Sequence, residues 1–111
     1  MEFLVTGEWV EHGALLPPDQ VVQVLETAVL PSLQLLAQWE GEGRVRGGIL
    51  AGQRAGIYLL EAASAEEVGR LLASLPFWGM VRWSVTPLEP TRATIQREQQ
   101  VLAQIRAMHK P

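Results

Sequence analysis

Residues 71–88 read LLASLPFWGMVRWSVTPL. An apolar helical run stops at Ser74-Leu75-Pro76, because proline cannot continue a helix and restricts the residue before it. A bulky aromatic turn follows, Phe77-Trp78-Gly79. Residues 79–88 then alternate as a strand that closes on Thr86-Pro87-Leu88. A helix delivered by a short turn into a strand is the last unit of a small α+β domain.

Upstream the same logic repeats. Residues 2–9 (EFLVTGEW) alternate as a first strand. Residues 10–18 form a loop ending in a double proline, and Asp19 is the expected N-cap. Residues 20–40 place Val21, Val24, Leu25, Ala28, Leu36 and Trp39 at helical spacing. Pro31 interrupts them, so a kink or two helices meeting near Leu30 is expected. Gly41 and Gly43 end that segment.

Residues 44–51 and 54–62 read as two strands around the Gly52-Gln53 turn. Gly47-Gly48 inside the first of them predicts a bulge or a close backbone approach. Ser64 and Glu67 form a capping box for a helix to about Leu75, with Val68, Leu71 and Leu72 buried. The order is β-α-β-β-α-β, a ferredoxin-like domain with an antiparallel four-stranded sheet and both helices on one face. It occupies residues 1–90. Residues 91–111 add a C-terminal helical arm, with Ile95, Leu102, Ile105 and Met108 on one side. A swapped arm over a second copy is the preferred reading, with packing on its own domain the alternative.

At 111 residues the chain is one domain, 48% hydrophobic and 19% charged, with a formal charge of −3. It carries no basic run, so nucleic-acid binding has no electrostatic support. It has no cysteine, which excludes disulfides and thiolate chemistry. No His/Asp/Glu cluster has metal-ligand spacing. No apolar stretch approaches the roughly eighteen residues of a membrane span. The N-terminus does not read as a signal peptide, so a cytoplasmic location is expected.

Alternation sorts the strands into two faces. Phe3, Val5, Val45, Ile49, Ile57, Leu59, Val81, Trp83 and Val85 form the apolar face expected under the helices. Leu4, Thr6, Glu8, Arg44, Arg46, Tyr58, Leu60 and Arg82 are among those on the other, mixed face. Two such faces packed together would close a dimeric α+β barrel and enclose a pocket. On that face Glu8 is the candidate base, while Arg44, Arg46 and Arg82 are candidate anion ligands and Tyr58 a candidate donor. Glu26 on the first helix is the rival base. Trp78 is expected at the pocket mouth or against a partner. His12, in the first loop, and His109, in the tail, read as surface residues.

The topology, Pro18-Asp19 opening the first helix, Gly43-Arg44 before the hairpin, and the Leu71-Leu72…Ser74-Leu75-Pro76…Val85-Thr86-Pro87-Leu88 ending resemble the muconolactone Δ-isomerase family. The resemblance covers residues 2–90. It implies a cofactor-free enzyme, self-assembled as dimers or larger rings, that shifts an allylic proton on a small carboxylated lactone. Such chemistry needs a base, a donor or cation for the developing enolate, and a clamp for the carboxylate. The family's Lys-Trp-Arg at the second strand reads Arg44-Val45-Arg46 here, and arginine clamps anions but is no base. A non-catalytic ligand-binding or oligomerisation barrel is therefore the alternative function, and a cofactor-free monooxygenase on the same barrel is a third.

Overall fold

The computed structural model describes residues 1–10 and 16–109. The expected element order is present: β1 (Glu2–Trp9), α1 (Pro18–Val24), a π-helical turn (Leu25–Val29), α2 (Leu30–Gly41), β2 (Val45–Ile49), β3 (Ala55–Glu61), α3 (Ala65–Ala73), a 3₁₀ turn (Trp78–Met80), β4 (Val81–Pro87) and α4 (Thr91–Met108). The sheet order is β2-β3-β1-β4, with every neighbouring pair antiparallel. This is the ferredoxin-like arrangement. The loop residue His12 lies outside the described residues.

Pro31 explains the first helical segment. It cannot donate the amide hydrogen bond an α-turn requires there. The backbone widens instead, and the Leu30 amide reaches back five residues to the Leu25 carbonyl. The two α-helices are therefore joined through the π-turn, α1 ending at Val24 and α2 beginning at Leu30. The chain enters α1 one residue before Asp19. Pro17 occupies the cap position without a side-chain hydrogen bond, and Asp19 sits in the first turn, where its charge suits the helix dipole. Asp19 is thus a first-turn acid and not the cap.

Pro18–Gly41 taken as one segment is 24 residues long with mean hydropathy 1.2 in its most apolar window. By length and composition alone it is long enough to cross a membrane, which corrects the expectation that no such stretch exists. Here Ala28, Ser32, Leu36 and Trp39 of this segment are buried in the domain core. Ser32 sits at its centre, donating to the Ala28 carbonyl at 2.7 Å and accepting from the Phe77 amide at 2.9 Å. One buried hydroxyl thereby ties α2 to the aromatic turn.

The capping box on α3 forms with one shift. The Glu67 amide donates to Ser64 Oγ, while the Glu67 carboxylate accepts from the Ala63 amide, one residue before the cap. Gly47 resolves as a close approach. Its φ is +146°, and a Cβ there would stand 2.0 Å from the Ile57 carbonyl oxygen, while the β2–β3 register runs through without a bulge.

The faces require one correction. Register pairs Phe3 with Leu60 and Val5 with Tyr58, so Tyr58 and Leu60 lie under the helices. Ile57 and Leu59 take the open face. The two faces of β3 are interchanged relative to the sequence expectation, because its residues are apolar on both sides and alternation gives no parity.

α4 buries no side chain. The Cα radius of gyration is 19.9 Å and the molecule extends 76 Å along its long axis. A compact chain of this length has a radius of about 13 Å. The arm therefore projects away from the domain.

Candidate functional site

A cavity of about 270 Å³ lies between the π-turn and the helix-covered face of the sheet. The helix side contributes Leu25, Val29, Leu33 and Leu36, and the sheet side Trp9, Ile49, Tyr58, Val81 and Trp83. Two local features border it. The π-turn displaces the helical backbone just where Leu25 and Val29 face the sheet, and such turns recur at functional sites. Beneath it, Gly7 and Gly56 are cross-strand partners that also line the cavity. Two facing glycines let the Trp83 and Val81 side chains close over one strand and the Ile49 and Tyr58 side chains over the other.

Trp83 occupies the space over Gly7. A Cβ on Gly7 would stand 2.8 Å from its ring atom Cζ3, so the indole rests where a side chain would be. Its Nε1 donates to the Trp78 carbonyl at 3.1 Å, which fixes the ring. Phe77 packs beside it with ring centroids 6.1 Å apart and planes tilted by 59°.

The polar residues along the cavity, beside its two tryptophans, are Gln53 and Arg54 from the hairpin turn and Tyr58 from β3. Arg54 is exposed, at the hairpin-turn edge of the cavity. Its carbonyl accepts from the Trp9 amide at 2.9 Å, pinning the turn against β1. Tyr58 is buried, and burial, with the Glu40 carboxylate nearby, pushes its phenol above the usual tyrosine pKa. It stays protonated at neutral pH, so its hydroxyl has a hydrogen to donate. No carboxylate lines the cavity among the described residues. The chamber is apolar, with one arginine and one neutral tyrosine among its lining residues.

Of the residues singled out from sequence, only Tyr58 lines this chamber, and it does so from the face opposite to the one expected. Glu8 and Arg82 are paired across β1 and β4 on the open face. Arg46 is also on the open face, bound to the Glu2 carboxylate at 3.2 Å. Arg44 is exposed ahead of β2 and makes no cavity contact. Glu26 is in the π-turn between two lining residues, yet it is exposed and does not line the cavity. Trp78 acts through its carbonyl on Trp83 and is half-exposed itself. His109 caps the end of α4, also exposed. The cavity within the single chain thus lies beneath the helices, apart from the open-face residues Glu8, Arg46 and Arg82. No group of three or more metal-ligating side chains occurs among the described residues.

The sequence reading missed Arg54, Gln53 and the glycine pair. The available signal was a lone glycine inside each of two strands, which marks a close approach of backbone or ligand.

The muconolactone delta-isomerase family model matches residues 1–93. A crystal structure of muconolactone isomerase superposes with a TM-score of 0.62 at 22% identity, covering 81% of this chain and 90% of that one. That likeness is one of fold. No curated protein matches the chain.

Proposed function

The chain belongs to the muconolactone delta-isomerase family, and from that premise we propose that it binds a small carboxylated metabolite beneath the π-turn. Arg54 holds the acid group at the mouth, and the Tyr58 phenol donates to a second oxygen inside. The observation that carries this is an apolar chamber of about 270 Å³ with Arg54 and a protonated Tyr58 among its lining residues. Its size, at the low end for ligand pockets, suits a compact molecule.

Calorimetry with muconolactone and short-chain carboxylates tests it. Arg54→Ala is expected to weaken binding about ten- to a hundredfold, the value of a charge-assisted hydrogen bond. Arg46→Ala, on the open face, is expected to leave it unchanged. Equal affinity in wild type and Arg54→Ala sinks the assignment.

The second reading is the family's proton shift. Family membership and the Tyr58 donor favour it, since a phenol can stabilise an enolate oxygen; the proton would pass to Glu26, the carboxylate of the π-turn between the lining residues Leu25 and Val29. Muconolactone held with the protein in heavy water separates the two. Binding without deuterium uptake by NMR supports a binding protein, whereas uptake abolished by Tyr58→Phe supports an isomerase. Self-association is part of the proposal, supported by the unpacked α4 and the two-faced sheet.

A further inference from the structure

Two α-helices bury no side chain, α1 and α4. α1 leads into the chamber. Val21 and Val22 stand four and three residues before Leu25, on the same side of the helical segment, and all three are exposed. On the sheet side of the chamber Ile49 is exposed as well, with Arg54 at the edge. The rim is an apolar patch holding one arginine. Among the described residues that arginine forms no ion pair.

α4 offers the complement. Its exposed stripe runs through Ile95, Leu102 and Ile105. Glu98 lies inside that stripe, three residues after Ile95 and four before Leu102, and lines a shallow groove with both. It too forms no ion pair among the described residues. An acid set among apolar side chains needs a cation on the surface that covers it. The wider charges agree. α1 and the π-turn carry Asp19 and Glu26 and no basic residue, whereas α4 carries three arginines and one acid. Because α4 projects away from its own domain, the surface it meets belongs to another copy.

Resting on the self-association proposed above, we propose that α4 of a second copy lies across the edge of the chamber. Its Ile95 and Leu102 pack on Leu25 and Ile49, and its Glu98 pairs with Arg54. An apolar seam around a single ion pair also fixes the register of the two helices' approach. Under the binding reading Arg54 receives a ligand's acid group. Arm and ligand therefore compete for one guanidinium, and each weakens the other.

The chain has no cysteine, so Ile49→Cys and Leu102→Cys are clean probes on the full chain. Mixed and oxidised, the two single variants are expected to give mainly the mixed disulfide between copies on non-reducing gels. Light scattering against concentration supplies the charge test. Glu98→Arg and Arg54→Glu are each expected to weaken assembly at least about tenfold, by bringing like charges together. The double variant restores opposite signs and is expected to recover the wild-type mass. All four positions are exposed, so the variants keep the fold. A disulfide between like copies as the main product overturns the proposal. Wild-type mass in both single charge variants, with no mixed disulfide, overturns this docking and leaves self-association standing. A single-chain mass for wild type whatever the concentration overturns both.

Discussion

Ser32 shows how much a single hydroxyl carries in this core. It is fully buried and satisfies the Phe77 amide while donating to the Ala28 carbonyl. Ser32→Ala leaves that amide unpaired, so a loss of about 1–3 kcal/mol is expected. Urea denaturation checks it, through a lower midpoint at unchanged slope. Tyr58 gives a second prediction. Its folded pKa lies above the unfolded value of about 10. Its contribution to stability is therefore full below that unfolded value and is lost as pH rises through the folded one. Tyr58→Phe is expected to flatten the alkaline limb of the melting temperature against pH. At this scale the sequence was least legible. Arg54 looked like an ordinary hairpin residue, and only the fold brings it to the chamber. Tyr58 was singled out, but β3 is apolar on both faces, so nothing in its pattern told which way the ring pointed.

The elements were far more legible. Pro31, the Ser64 cap and the Ser74-Leu75-Pro76 stop each act on their own few residues, so their consequences can be read locally. What could not be read was the form of the break at Pro31. A kink and a π-turn satisfy the same missing amide, and tertiary packing against the sheet selects between them. Pro31→Ala supplies that amide and lets the segment close to an α-helix, turning Leu25 by about 100° per residue of register. Carboxylate affinity is expected to fall while helicity by circular dichroism holds or rises. The start of α4 depends on another local device. Glu89 bonds the Thr94 hydroxyl and the Arg97 guanidinium, and these hold its carboxyl below the usual range. This contribution is present above the unfolded carboxyl pKa and lost as pH falls through the folded value. Glu89→Gln is expected to speed amide exchange in the first turn of α4 at neutral pH and to remove its acid dependence.

The whole molecule is a compact domain with a helix held away from it. Eighteen residues make α4 about 27 Å long, and Ile95, Leu102, Ile105 and Met108 stay exposed along it. Their apolar stripe was visible in the sequence. Where it lies could not be, because a stripe states that a partner is wanted and not which surface supplies it. A chain ended after Glu89 is expected to keep the melting temperature of the domain, since α4 buries nothing there. Light scattering after size exclusion is expected to give a smaller assembly than the full chain. An unchanged mass would remove α4 from the proposed self-association.

The projecting arm also makes the protein its own reporter of assembly. Arg92, Arg97 and Arg106 lie on a helix with no buried residue, and a helix that packs on nothing opens at little free-energy expense. In dilute solution trypsin is expected to nick these three sites well before it attacks the sheet. Where copies shelter one another's arms, the same cuts slow with rising protein concentration, so the rate of digestion becomes a clock for association.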